Sequence, residues 1–270
     1  MLNPLSLEFR QKHPAYLSIF SLFVAGHLLI AFTLVYFLRN EVWRRELDSG
    51  ISSFVWTFLI SHLVFCFGEY FFHCDILHSA PIKSLKSFFE KHTLHHSLTS
   101  ISWEKDANSE LLKIKSEYAI EDLSQDVSST FPIWALAVIL SAATPVFTFF
   151  SWLFPQVPIF LGGYSALTLT YFLYEGLHTV HHQSNAWWLA KINQKFFGKF
   201  WRVRYLFHGC HHANMRCNLN IAGFFGIPVA DLILGTYRMP KILLMSGETI
   251  TRETIAYIYS KSHWLVIENK

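Results

Sequence analysis

The chain is poor in charge. Aspartate, glutamate, lysine and arginine make up 15% of its 270 residues, whereas soluble domains carry about 25%. Hydrophobic residues account for 52% and aromatic residues for 17%, including 26 phenylalanines and nine tryptophans. This composition argues against a water-soluble domain. It is typical of helices that face lipid and of aromatic rings at the membrane interface.

The chain also lacks paired cysteines and linkers. Its four cysteines, Cys66, Cys74, Cys210 and Cys217, form no CxxC pair, which excludes a zinc ribbon and a disulfide framework and favours a reducing compartment. There is no internal repeat, no low-complexity tract and no linker rich in proline, glycine or serine. We therefore expect one domain over residues 1–270.

Four apolar runs are each close to the ~20 residues that a helix needs to cross a bilayer. They cover residues 16–38, 51–72, 131–154 and 158–177. The first is too long for a signal-peptide core and no small-residue cleavage site follows it, so we expect a retained span. Pro145 can kink the third run, and Pro155 and Pro158 predict a short turn before the fourth.

Basic residues indicate the sidedness of this predicted topology. Four crossings place residues 1–15, 73–130 and 178–270 on one side. Of 22 lysines and arginines, only Arg39, Arg44 and Arg45 fall on the other side, so the first side should be cytoplasmic. The expected fold is an all-α integral membrane protein, with four transmembrane helices and a cytoplasmic helical cap. The bacterial inner membrane and the endoplasmic reticulum both fit.

Two cytoplasmic segments have helical character. Residues 101–126 are polar and contain no proline or glycine, which predicts one or two helices that could cover a site. Residues 248–265 have a helix-compatible periodicity. That segment could lie on the membrane surface or pack as an ordinary helix.

Histidines form four clusters on the side expected to be cytoplasmic. An HxxxxH runs from His73 to His78, and three HxxHH motifs occupy residues 92–96, 178–182 and 208–212. Together they hold 11 of the 15 histidines. At this histidine frequency one HxxHH is expected on the order of 0.05 times by chance, so the pattern indicates metal binding. We expect no metal role for the isolated His13, His27, His62 and His263.

The spacing suits a site for two ions. On a helix, His92 can converge with His95 or His96, whereas adjacent histidines diverge by about 100° and can serve different ions. The HxxxxH step turns by about 140°, so His73 and His78 need a helix end, a bulge or separate metals. Imidazole suits iron, zinc, copper and nickel alike.

Ligand histidines usually donate their second ring nitrogen to a carboxylate or a carbonyl. The acidic residues predicted for this role are Glu69, Asp75, Glu175 and Asp231. Glu69 and Glu175 lie close before His73 and His178 at the ends of predicted spans, and both could instead extend to the membrane interface.

The motif set resembles the fatty acid hydroxylase/sterol desaturase superfamily of membrane histidine-box oxidases over about residues 55–240. The resemblance is carried by Glu69-Tyr-Phe-Phe-His73, the three HxxHH motifs and the closing Asp231…Gly235-Thr236. It implies a bridged di-iron centre, O₂ as co-substrate and a separate electron donor, cytochrome b5-like or a ferredoxin with its reductase. Zinc can occupy such sites in purified material.

The resemblance also implies the metal ligands, with His181 left uncertain. The expected ligands are His73, His78, His92, His95, His96, His178, His182, His208, His211 and His212.

The function implied is a lipid monooxygenase that hydroxylates an unactivated C–H bond of a fatty acyl chain, a sterol or a related lipid. A desaturase, or a sterol, carotenoid or ether-lipid oxidase, is the alternative on the same site, and the closing motif favours hydroxylation. A histidine-rich metal transporter is an alternative of another class. It should place ligands near the bilayer midplane, where only His27 and His62 lie. The expected partners are the bilayer, a lipid substrate and the electron donor, and no nucleic acid.

Overall fold

A computed structural model describes residues 4–12, 15–79, 82–116 and 118–260 of the chain. The chain is mostly helical. The helices are α1 (Leu7–Lys12), α2 (Tyr16–Leu38), α3 (Asn40–Asp48), α4 (Gly50–Phe71), α5 (Lys86–Leu98), α6 (Leu123–Ser129), α7 (Ala135–Leu153), α8 (Ile159–His181), α9 (Asn185–Ile192), α10 (Gly198–Ala213), α11 (Val229–Leu234) and α12 (Arg252–Tyr259). The strands are β1 (Trp103–Lys105), β2 (Leu112–Ile114) and β3 (Thr249–Ile250). A π-helical segment, Phe72–Leu77, continues α4, and a 3-10 turn at Lys83–Leu85 precedes α5.

The chain divides into two compact units. The first unit consists of Met1–Gly68 and Thr130–Gly176, and the second of Glu69–Ser129 and Leu177–Lys270.

Three of the described helices are long and apolar enough to cross a membrane. They are Tyr16–Leu38, Gly50–Leu77, which includes the π-helical segment, and Ala135–Leu153. The fourth predicted run forms α8, which has 23 residues but is not among them. Its glycines, threonines and tyrosines lower its hydropathy, and several of them are buried. A helix enclosed by neighbours needs less apolar surface than one that faces lipid.

Small residues allow close helix packing in the first unit. A Cβ at Gly162 of α8 would lie 2.7 Å from Cγ2 of Thr57 in α4, and one at Gly163 would lie 3.0 Å from the Phe147 ring of α7. Glycine therefore permits the approach of these helices. The buried carboxylate of Glu46 in α3 accepts hydrogen bonds from the backbone N–H groups of Phe160 (3.0 Å) and Leu161 (2.8 Å) and caps α8.

The second unit contains a small sheet that the sequence did not predict. β1 pairs antiparallel with β2, and β2 pairs antiparallel with β3, placing Leu112 opposite Ile250. The prediction of helix over residues 101–126 is therefore wrong for most of that segment, and only α6 begins within it. The strand partner Ile250 lies far away in sequence, and Ile114 and Ile250 are both buried in the core of this unit. Strand pairing between segments so far apart in sequence is not marked by a local pattern of residues.

The segment predicted as helical over residues 248–265 begins with β3 instead. α12 follows as a helix of eight residues, and residues 261–270 lie outside the described residues.

Candidate metal centre

The π-helical segment explains how the HxxxxH histidines can meet. A π-helix bonds i to i+5, so its wider turn brings positions five apart onto one face. The rings of His73 and His78 are stacked, with centroids 5.0 Å apart. Of the arrangements that the spacing left open, the chain adopts a bulge, and both histidines join one group.

Nine described histidines of the second unit form two groups, and within each group the donor atoms lie within 4.8 Å of one another. The group of five contains His73, His78, His92, His96 and His211. The group of four contains His95, His178, His182 and His212. The two groups are adjacent: the rings of His96 and His212, one from each group, are stacked with their centroids 4.5 Å apart. These clusters are close enough to hold metal ions.

Adjacent histidines serve different groups. His95 and His96 of α5 divide between the two groups, and so do His211 and His212 of α10. This follows from the divergence of about 100° between neighbouring positions on a helix. His92 and His96, four residues apart, share the group of five, and His178 and His182 share the group of four.

Backbone carbonyls orient two histidines of the group of five. Nδ1 of His73 lies 2.6 Å from the carbonyl oxygen of Leu219, and Nδ1 of His211 lies 2.8 Å from that of Cys217. A carbonyl can only accept, so Nδ1 carries the proton in each ring. Each Nε2 is then left with a lone pair, the form that binds a metal.

The group of four is oriented in the same way. Nδ1 of His212 donates to the carbonyl of Thr99 at 3.0 Å, and Nδ1 of His182 donates to the carbonyl of Tyr118. Nδ1 of His95 lies 2.6 Å from Oγ of Ser129. That hydroxyl donates its own proton to the carbonyl of Gln125, so it accepts from His95.

The lone pairs converge inside the site. Nε2 of His92 lies 3.1 Å from Nε2 of both His73 and His96, and 3.3 Å from that of His78. Nε2 of His95 and Nε2 of His211 are buried without a hydrogen-bond partner. Buried polar atoms are rarely left unpaired, and convergent imidazole lone pairs are the donor set that a transition-metal ion binds. The residues therefore fit metal ions.

Burial keeps these rings neutral. Desolvation, reinforced by neighbouring histidines, holds the pKa of His92, His95, His96 and His212 well below the usual value. Burial lowers the pKa of His211 to about 4, although its bond to the Cys217 carbonyl opposes the shift. Metal binding requires neutral imidazole, so this environment favours metal ions over protons.

Two buried carboxylates hold the loop that orients His73. Asp231 accepts from the N–H groups of Leu219 (2.9 Å) and Asn220 (2.8 Å) and from the hydroxyl of Thr236 (2.6 Å). Glu69 accepts from the side-chain amide of Asn220 (2.5 Å). It also accepts from the N–H groups of residues 222 and 223 at 2.8 and 2.9 Å. Both acids therefore act on His73 indirectly, because they hold the loop whose Leu219 carbonyl accepts the hydrogen bond from His73.

The other two predicted acids differ from these. Glu175 accepts from the N–H of Phe131 at 3.1 Å within the first unit. Asp75 is exposed. The polar groups that do contact the rings are carbonyls and hydroxyls at Thr99, Tyr118, Ser129, Cys217 and Leu219. Sequence reasoning missed them, because a backbone carbonyl has no residue signature.

Two cluster histidines lie outside both groups. His208 lies against the group of four, with Nε2 2.9 Å from Nε2 of His182 and 3.1 Å from that of His212. His181 stacks on His208 at 4.6 Å. Of the histidines expected to have no metal role, His27 bonds the carbonyl of Phe23 in its own helix, and His62 bonds Thr170. His13 and His263 lie outside the described residues.

A cavity of about 470 Å³ opens onto both groups. Its wall includes His96 from the group of five and His212 from the group of four, and Arg216 and Tyr259 also line it. It offers space for a small molecule beside the histidine groups.

Comparisons of the chain with protein-family models, with curated proteins and with solved structures find no match.

Proposed function

We propose that the chain is a membrane-bound di-iron monooxygenase that hydroxylates an unactivated C–H bond of a lipid, with O₂ and an external electron donor. The observation that carries the proposal is the pair of buried, adjacent histidine groups of five and four members. The three membrane-length helices support a lipid substrate, because they would keep the chain in contact with lipid.

The ligand count favours iron. Structural zinc sites are almost always tetrahedral with four ligands, and five convergent imidazoles exceed that number. Neither group contains a carboxylate or a thiolate, which disfavours magnesium, calcium and copper(I). Two adjacent sites also match the two-electron chemistry that O₂-dependent C–H oxidation requires.

In this proposal the protein binds the metal ions, orients the histidine rings and excludes water from the site. The nine grouped histidines would hold two ions, which would supply the reduction of O₂ and the removal of hydrogen from carbon. Carbonyl bonds at Nδ1 fix the rings before binding and reduce reorganisation. Burial excludes water from the groups. The cavity beside His96 and His212 would admit a reactant.

The membrane arrangement is part of the proposal. We place four spans in the bilayer, with α8 as the fourth, and the histidine groups on the cytoplasmic side. The excess of lysine and arginine on that side supports the orientation. There, the groups would receive electrons from a cytochrome b5-like protein or from a ferredoxin and its reductase.

Two alternatives predict different products. A desaturase or another lipid oxidase would use the same groups and form a double bond or a different oxidised lipid. A metal transporter would carry ions and form no oxidised lipid. Of the nine grouped histidines, only His73 and His178 fall within the helices that we place in the bilayer, and both lie near the end of their helix, which disfavours a transport site at the midplane.

The test is a lipid analysis of host cells that express the chain. With the native chain and with His27→Ala, we expect a lipid that is 16 mass units heavier under ordinary O₂ and 18 mass units heavier under ¹⁸O₂, and no such lipid with His211→Ala. A product lighter by two mass units would favour the desaturase. Metal uptake by vesicles without any oxidised lipid would favour the transporter and overturn the proposal.

A further inference from the structure

The corner between α9 and α10 belongs to a long acid-free stretch. Between Glu175 and Asp231 the chain has no aspartate or glutamate. The same stretch carries six lysines and arginines, which are Lys191, Lys195, Lys199, Arg202, Arg204 and Arg216. Three of the lysines fall within nine residues at the corner. Residues 189–203 therefore carry a local excess of positive charge.

Large apolar side chains are exposed at the same corner. Phe196 is 84% exposed, Phe197 65% and Phe200 53%. Leu189 and Val203 on either side are also exposed. Isolated exposed hydrophobic residues are ordinary, but a contiguous patch marks an interaction surface. We call Leu189–Val203 the aromatic–basic corner.

Packing holds the corner in shape. A Cβ at Gly198 would collide with the carbonyl oxygen of Ile192, so glycine allows the start of α10 to lie against the end of α9. The amine of Lys191 lies 5.2 Å from the centre of the Trp187 ring and 5.9 Å from that of Trp201. These contacts position the turn 193–197 so that its phenylalanines are exposed.

We propose that the aromatic–basic corner lies in the headgroup region of an anionic lipid leaflet. The phenylalanine rings enter the acyl boundary, and Lys195 and Lys199 contact lipid phosphates. Exposed aromatic residues interleaved with lysines are the pattern of interfacial membrane contact, and the missing acids remove repulsion from anionic headgroups. This contact adds to the transmembrane spans and is independent of the metal ions.

The aromatic residues favour a bilayer over an acidic protein. Lysine alone would suit either partner, but three exposed phenylalanines on five consecutive residues would need a matched apolar pocket on a protein. The β1–β2 hairpin shows the contrast. There Lys105 and Lys113 alternate with Glu104 and Glu110, a mixed surface of the kind that faces water.

The test uses the full chain in vesicles that contain phosphatidylglycerol and no other protein. A spin label at Phe196→Cys is compared with one at Asn108→Cys, an exposed position in the hairpin turn. The unsubstituted chain, whose cysteines are buried or half-buried, provides the background. We expect the label at 196 to collide more with O₂ than with a water-soluble nickel chelate, and the label at 108 to do the reverse.

Equal access of the nickel chelate to both labels would overturn the proposal and leave the corner as a surface for a protein. The charge contribution is tested by K195Q/K199Q against the matched pair K105Q/K113Q. The first pair should increase nickel access to the label at 196 in anionic vesicles, and the second should not. If both pairs have the same effect, the anionic-lipid part of the proposal is wrong.

Discussion

Carbonyl oxygens, rather than carboxylates, orient the histidines at the site. His73, His182, His211 and His212 each present Nδ1 to a backbone carbonyl. A neutral acceptor fixes the tautomer without adding negative charge to the site. The acids Asp231 and Glu69 act one step further out, because they hold the loop that supplies the Leu219 carbonyl.

The two groups should lose metal independently. His211→Ala removes one of five ligands from the first group, and His95→Ala removes one of four from the second. Each should lower the metal content from about two ions per chain towards one and abolish product. Elemental analysis of the purified chain measures this, with His27→Ala as the control. Two ions in both variants would contradict the ligand assignment.

Asp231 should control both stability and metal affinity. Asp231→Asn replaces one accepting oxygen by a donor facing buried N–H groups, which should cost about 2–4 kcal/mol of unfolding free energy. Metal affinity in the group of five should fall about 10–100-fold, while that in the group of four stays closer to native. Thermal unfolding and metal titration measure these effects.

The control for Asp231→Asn is Asp48→Asn at an exposed position. It should leave the unfolding free energy and the metal affinity unchanged. Equal weakening of the two groups would indicate a general loss of structure instead of a displaced His73.

Single turns of backbone decide which side chains meet. The π-helical segment brings together two histidines that an α-helix would separate by about 140°. The short sheet of β1, β2 and β3 forms where local pattern indicated helix. Both departures need contacts from elsewhere in the chain, such as the bond from His73 to Leu219 and the pairing of Leu112 with Ile250.

The sheet should be needed for the stability of the second unit. Ile114 of β2 is buried, and Ile114→Ala should cost about 2–5 kcal/mol through lost burial and the cavity left behind. The neighbouring Lys113 is exposed, and Lys113→Ala should change stability by less than about 0.5 kcal/mol. Chemical unfolding in detergent measures both. Equal effects would contradict the assignment of β2.

At the scale of the whole molecule, many neutral buried histidines make the fold sensitive to acid. The pKa of His211 is about 4 in the fold, against 6.5 for an ordinary histidine. Between these values the unfolded chain binds the proton more readily, so stability falls as the pH falls. This one residue contributes about 3 kcal/mol of loss between pH 6.5 and 4.

The metal-free chain should therefore unfold at progressively lower temperature as the pH is reduced from 7.5 to 5. Burial also lowers the pKa of His92, His95, His96 and His212, so each of them adds to the loss of stability at low pH. Burial raises the pKa of Asp231 to about 6 and also raises the pKa of Glu46 and Glu248, so these carboxyls oppose the trend at acid pH without reversing it. Thermal unfolding without metal tests the sign, and a constant or rising midpoint would contradict it.

The sequence by itself determined the membrane character and the histidine pattern. Both are local properties, since the length of an apolar run and the spacing of HxxHH are set within about 20 residues. The division of His95 and His96 between two groups also followed from helix geometry. The four-span count, the superfamily resemblance, and the assignment of iron and hydroxylation remain predictions.

Only the tertiary structure decided which groups orient the rings. The carbonyls of Leu219 and Cys217, the hydroxyl of Ser129 and the pairing of β2 with β3 depend on contacts between distant segments. The position of His208 against the group of four also depends on contacts between the end of α8 and α10. Every residue has a backbone carbonyl that can accept a hydrogen bond, so no sequence pattern marks the ones that do so here.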